Sequence, residues 1–303
     1  MYERFYYLNE KPFKITPDPR FLFWSEGHKE ALAHLRYGIE GKKGFVVITG
    51  EVGTGKTTLL QALLAGLKDN IHYAAVSNPA MGVDDFLYYI GNAFGLSMET
   101  FSKAQFLLRF SVFLQESARQ GKYVLLIVDE AHKLSVELLE EIRLLSNLET
   151  AEEKLLNIFL VGQPELNQKL TDPSLLPLRQ RISASYHLLP LSREDVGEYL
   201  KKRLLVAGAK FNHLFKPGAV RAIYKYTKGY PRAINILADQ ALLTGYVKGK
   251  KEINAKIIRE ASKDLTLPGE KRFFRFFPGW LKWGIGAVAG VIAIVLGTLY
   301  YFS

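Results

Sequence analysis

Phe45-Val46-Val47-Ile48-Thr49-Gly50-Glu51-Val52-Gly53-Thr54-Gly55-Lys56-Thr57 is the stretch from which the rest of the chain is read. Its first four residues are apolar, and three of them are β-branched, which predicts a short buried strand. The run Gly50-x-x-x-x-Gly55-Lys56-Thr57 follows. Leu59, Leu60, Leu63, Leu64 and Leu67 then recur at helical spacing. Glycines let successive backbone N–H groups turn inward toward a phosphate, and the start of a helix adds its dipole at the same spot. In this pattern Lys56 reaches the β- and γ-phosphates and the Thr57 hydroxyl holds Mg²⁺. The strand before and the helix after set it apart from a glycine-rich turn that binds nothing.

The chain has 303 residues, 48% of them apolar, enough for two compact domains and a sizeable core. It has no cysteine, which excludes a disulfide framework and thiolate metal sites. Its six histidines are scattered, without metal-ligand spacing. The net charge of +10 is unevenly placed. Residues 191–264 hold 16 Lys/Arg against 7 Asp/Glu, and residues 270–282 hold 4 against 1. The nucleotide-binding part is therefore close to neutral. A basic surface of this kind suits nucleic acid, anionic lipid or an acidic protein, and charge alone does not choose.

Met1–Asn9 contains Glu3 and Arg4 and lacks the apolar run of a signal peptide. Trp283–Phe302 is different: twenty residues without a charge, long enough to cross about 30 Å of hydrocarbon. Lys271, Arg272, Arg275 and Lys282 precede it, so the expected arrangement is a single-pass membrane protein whose preceding part is cytoplasmic, in a bacterium the inner membrane. Within the span, Gly286-x-x-x-Gly290 offers a helix-pairing face or is ordinary small-residue usage. Phe273, Phe274, Phe276 and Phe277 suit a segment lying on anionic lipid.

Along the chain, residues 1–24 are aromatic-rich, and Pro12, Pro17 and Pro19 exclude a regular helix there. They read as an apolar cover for an adenine ring, as an arm packed on the core, or as both. Ser25 caps a helix ending near Gly41. Expected strands are 71–76, 123–128, 155–161 and 184–189. Expected helices are 83–94, 103–119 and 135–148, with a further one ending at Leu170. Alternating strands and helices predict a parallel α/β sheet covered on both faces.

Strand 123–128 ends in Asp129-Glu130-Ala131-His132. Two acids at the end of an apolar strand are costly unless they face a polar site. Asp129 would hold the Mg²⁺ shell through water, and Glu130 would orient and activate the attacking water. His132 completes a DEAH string and reads as local packing. Gln163 sits where an amide could touch the γ-phosphate or the water, or could serve as a turn amide. From Leu191 the pattern turns helical, over 193–206, 217–227, 231–247 and 254–264, with Gly229-Tyr230-Pro231-Arg232 as the joint before the third. The reading divides the chain into an α/β domain 1–190, a helical lid 191–265, a basic aromatic linker 266–282 and a transmembrane helix 283–302.

A phosphate loop, an Asp-Glu pair and a small all-helical region after the last strand resemble AAA+ ATPases, the P-loop NTPases with this lid. The strings FYYLNEKPFKITPDPRFLFWS, GFVVITGEVGTGKTTL, VDEAH, VGQPEL, LRQRI and GYPRAIN are similar to the GspA/ExeA-type ATPases of bacterial secretion and pilus systems, over roughly residues 1–265. The resemblance implies ATP and Mg²⁺ as cofactors and hydrolysis to ADP and phosphate. It makes Gln163 sensor 1. Arg181 becomes the arginine finger reaching a neighbouring subunit's nucleotide, with Arg179 as fallback, and Arg232 becomes sensor 2. Gly50, Gly53, Thr54, Gly55, Lys56, Thr57, Thr58, Asp129 and Arg232 then contact the nucleotide; Thr57 and Asp129 hold the metal; Glu130, Lys56, Arg181 and Gln163 carry the chemistry. A guanidinium supplied by a neighbour would couple hydrolysis to assembly of an oligomeric ring.

In that family the span leads to a periplasmic peptidoglycan-binding domain. The present sequence stops at Ser303 and reads as a truncation or a tail-anchored variant, so an inner-membrane or periplasmic partner is expected to supply the wall contact. The expected role is a membrane-anchored ATPase driving assembly of an envelope complex. The alternatives are a nucleic-acid-linked ATPase of the TniB/TnsC transposition type, or a switch with little turnover.

Overall fold

A computed structural model describes residues 1–16, 18–41, 43–96, 102–150, 153–209 and 214–265. Strand β1 (Phe45–Thr49) lies inside a five-stranded parallel sheet. The others are β2 (Ile71–Val76), β3 (Tyr123–Val128), β4 (Leu156–Gly162) and β5 (Ile182–His187), in the order β2-β3-β4-β1-β5. β1 pairs with β4 from Phe45↔Ile158 to Thr49↔Gly162, and its register to β5 shifts by one residue between Phe45 and Val46.

The alternation of side chains along each strand explains why both sheet faces are covered. From β1, Phe45 and Val47 enter one core while Val46 and Ile48 enter the other. β3 divides in the same way: Val124, Leu126 and Val128 on the first face, Leu125 and Ile127 on the second. Helices α4 (Val83–Ala93), α5 (Lys103–Arg119) and α6 (Val136–Leu145) fill the first core with Phe86, Phe106, Phe110 and Leu138. Helices α2 (Glu26–Glu40) and α3 (Lys56–Ala65) fill the second with Leu35, Leu59 and Leu63. Ser25 caps α2, accepting from the His28 N–H.

Short helices α7 (Glu165–Lys169) and α8 (Leu176–Arg179) connect β4 to β5. After β5 come α9 (Arg193–Val206), α10 (Pro217–Thr227), α11 (Pro231–Val247) and α12 (Ala255–Asp264). Ser192 and Asp195 form a reciprocal capping box at the start of α9, and prolines occupy the first turn of α10 and α11. These elements, up to Lys263 near the end of α12, belong to one compact unit, Met1–Lys263.

Several elements differ from the limits their sequence predicts. A one-turn helix α1 (Tyr2–Phe5) precedes the prolines, because Pro12 is too far along to forbid it. Leu67 lies beyond α3, which ends at the Gly66 cap. α6 stops at Leu145 rather than 148, where the Ser146 N–H and hydroxyl both bond to the Arg143 carbonyl. β5 starts two residues early and ends at His187, since its ladder follows β1 and ends with it at Thr49. Among the described residues no helix is long and apolar enough to cross a membrane. The expected span 283–302, its linker 266–282, Pro17 and His213 lie outside the described residues.

Candidate active site

The end of β1 delivers the chain into a loop whose geometry only glycine accommodates. Gly53 has φ +84° and Gly55 φ +104°, both left-handed. A Cβ on Gly53 would lie 2.9 Å from the Arg232 Cβ, and one on Gly55 would lie 2.8 Å from His28 Nε2. The loop is thus clasped from two sides, by the first turn of α11 and by α2.

His28 is the support beneath it. Its Nε2–H donates to the Thr54 carbonyl at 3.2 Å, and its Nδ1 accepts from the Ser25 hydroxyl at 2.6 Å. Burial pushes its pKa down from 6.5, against the opposing pull of the Thr54 carbonyl. Folded His28 therefore stays neutral at pH values where the unfolded chain takes up a proton, so stability is lost as pH falls below about 6.5. Unfolding scans across this range should show a His28→Gln variant with a flatter pH dependence than the parent; identical slopes would exclude His28 as the cause.

Lys56, at the start of α3, is almost fully buried. Its ammonium donates to the Gly50 carbonyl at 2.7 Å and the Glu51 carbonyl at 3.0 Å. Burial lowers its pKa, while Glu130 and Asp129 act the other way. The Thr54 hydroxyl also donates to the Glu51 carbonyl, at 2.9 Å, tying the loop to itself.

Across from Lys56, the Thr57 hydroxyl donates to Asp129 Oδ2 at 2.9 Å, and the Glu130 N–H donates to Asp129 Oδ1 at 2.8 Å. Burial raises the Asp129 carboxyl, and these two donors partly offset it. A hydroxyl and a carboxylate oxygen brought together are hard ligands of the kind a small divalent cation takes. Glu130 itself has φ +55°, a left-handed conformation that a non-glycine residue holds at a cost of order 1–2 kcal/mol. The 3-10 turn Ala131–Lys133 that follows starts from this bend. Val52, Gly53, Lys56, Thr57, Thr58 and Glu130 line one cavity of about 660 Å³, a size suited to a nucleotide.

Gln163 and Arg232 line the same cavity. Gln163 follows β4. Arg232 is at the start of α11, its N–H 3.4 Å from the Gly53 carbonyl. The joint before α11 depends on Gly229, at φ +84°, where a Cβ would stand 2.0 Å from the Leu191 carbonyl oxygen. Arg181 is not among the residues lining its own chain's cavity; its Nη1 donates to the Ser146 hydroxyl at 2.9 Å. Arg179 is exposed at the end of α8.

Three contributors escaped the sequence reading. His28 is one, because its partner is 26 residues away. Arg203 is another: its guanidinium is buried, donates to the Pro12 and Lys14 carbonyls, and lies 4.9 Å over the Phe21 ring. It pins the aromatic N-terminal segment to α9, so Lys14, Ile15 and Phe21 wall the cavity while Phe13 and Phe21 pack inward. The two readings of that segment are thus compatible. The third is His132, which contacts Gln163 and approaches Glu130 rather than only packing locally. The Asp-Glu-x-His string was the available signal.

Residues 39–170 match the AAA domain family. Over 256 residues the chain is 44% identical to general secretion pathway protein A of Aeromonas hydrophila, covering 84% of this chain and 46% of that protein. The chain thus spans about half the length of that curated relative. The solved Aeropyrum pernix ORC2 protein superposes with TM-score 0.60 at 18% identity, covering 84% of this chain and 72% of that one. The Thermotoga maritima RuvB branch-migration motor superposes with TM-score 0.53 at 20% identity, covering 80% and 70%. At such identities the likeness is one of fold.

Proposed function

From the premise that the chain belongs to the AAA+ ATPases and resembles general secretion pathway protein A, we propose a membrane-anchored ATPase that couples hydrolysis to assembly of an envelope secretion or pilus complex. The observation that carries the catalytic half is that Lys56, Thr57 and Glu130 line one cavity, with Asp129 held behind them by the Thr57 hydroxyl and the Glu130 N–H. Backbone N–H groups of Gly53–Thr57 cradle the phosphates, and the Lys56 ammonium leaves the Gly50 and Glu51 carbonyls to neutralise them. Thr57 and Asp129 are the residues that would hold Mg²⁺, which when bound supplies charge neutralisation on the phosphate oxygens. Glu130 takes the proton of the attacking water, and Gln163 orients that water or the terminal phosphate. The N-terminal segment held by Arg203 covers the base. Arg232, contacting Gly53 from α11, links nucleotide state to a lid formed by α9–α12.

Arg181 acts on the neighbouring subunit's nucleotide, in keeping with its place outside its own cavity. Mixing decides this. Arg181→Ala and Glu130→Gln chains, each inactive alone, should recover turnover when mixed, because the second lends its arginine to the first's intact pocket. A mixture as inactive as its parts, or an active Arg181→Ala chain, would contradict it.

The membrane half of the proposal rests on the uncharged run 283–302 behind its basic flank. The full chain should sediment with inner membrane and be released only by detergent. The basic excess of residues 191–264 favours a second reading, a DNA-linked ATPase. Turnover strongly stimulated by DNA, with salt-sensitive binding, would select it.

A further inference from the structure

His132 has no role in the chemistry above, yet its ring sits between two residues that do. It lies in the 3-10 turn after Glu130, with its side chain 14% exposed. The Gln163 backbone N–H donates to its Nδ1 at 3.3 Å. In a neutral imidazole a nitrogen that accepts carries no proton, so the proton is on Nε2. That Nε2 stands 3.0 Å from the Gln163 side-chain amide and 3.7 Å from Glu130 Oε2. Two N–H donors cannot face each other at 3.0 Å, so the amide must turn its oxygen toward the ring. Its NH₂ group is then the end left for the cavity that Gln163 lines. The turn carrying His132 is fixed from behind: Lys169 of α7 donates to the His132 carbonyl at 2.7 Å and also to the Leu134 carbonyl.

We propose that His132 is a positioning residue. Its Nε2–H holds the Gln163 amide oxygen, so that the amide presents donors, not an acceptor, to the terminal phosphate, and one imidazole sets the spacing between Gln163 and Glu130. An acceptor facing a phosphate would repel it; a donor stabilises charge developing there. The inference deepens the reading of Gln163 as a phosphate or water contact and rests on it.

The test uses the full chain in detergent. ¹⁵N-histidine NMR, with His132→Phe identifying the signal, should show the Nε2–H tautomer before any nucleotide is added; the Nδ1–H tautomer would overturn the proposal. His132→Phe, which keeps a ring without nitrogens, should lower kcat roughly 10- to 100-fold with nucleotide affinity and melting temperature unchanged. His132→Gln, which can donate to the Gln163 oxygen, should recover part of that loss. Adding Gln163→Ala to His132→Phe should cost nothing beyond the slower single variant, because both remove one interaction. A fully active His132→Phe beside a slow Gln163→Ala would remove His132 alone. A fully active Gln163→Ala would remove the reading of Gln163 with it. Parallel losses of affinity and melting temperature in His132→Phe would show a packing role and overturn the proposal.

Discussion

Glu130→Gln is expected to stop ATP turnover and leave nucleotide binding and the fold in place. The substitution keeps length and shape, and the Glu130 N–H still donates to Asp129. What it removes is the carboxylate that accepts the water proton, worth about 10²–10⁴ in rate. The left-handed backbone sharpens the expectation. A residue held at φ +55° at the end of a buried strand carries a small conformational cost that the fold must sustain. The bend is kept by the backbone bond from the Lys133 N–H to the Glu130 carbonyl and by the Lys169 clamp, and the substitution leaves both in place. Steady-state turnover together with equilibrium nucleotide binding reads both halves; turnover near that of the parent would mean another group is the base.

Lys56→Ala is expected to abolish binding itself. The ammonium now donates to the Gly50 and Glu51 carbonyls; turned to the β- and γ-phosphates it makes charge-assisted hydrogen bonds worth roughly 1.5–3 kcal/mol each, so losing both should cut affinity about 10²- to 10⁴-fold. The folded chain should survive. Burial already disfavours this charge, as its lowered pKa shows, so losing it also removes a desolvation cost. The two carbonyls lose a donor, the buried Gly50 carbonyl more than the part-buried Glu51 carbonyl. Titration of the variant with ATP and a melting curve separate the outcomes; undiminished affinity would place the phosphates elsewhere.

What is legible in the sequence follows from where the signals lie. β2, β3, α5, α9, α10 and α11 match their expected limits to the residue. Their ends are marked locally, by Ser192 with Asp195, by Pro217 and Pro231, and by polar residues bounding apolar runs. β5 slipped because Leu188 and Leu189 extend its apolar pattern, whereas its true extent is set by pairing with β1. The phosphate loop and the Asp-Glu pair were readable because their chemistry is contiguous in sequence. The supports were not. Arg203 reaches Pro12 across 191 residues, and no spacing rule connects them. The left-handed Glu130 is likewise invisible in a sequence, since nothing in Val128-Asp129-Glu130-Ala131 requires φ > 0. His132 could have been weighed from its string, but its partner Gln163 comes into reach only through the adjacency of β3 and β4.

The central claim is that a triphosphate lies against the amides that follow Gly50 and is held by Lys56. Calorimetric titration of the Glu130→Gln full chain with ATP and Mg²⁺ tests it without interference from turnover. The account predicts saturable binding of one nucleotide per chain, lost when Lys56→Ala is added. Absence of binding by the folded Glu130→Gln chain, or binding indifferent to Lys56, would contradict it.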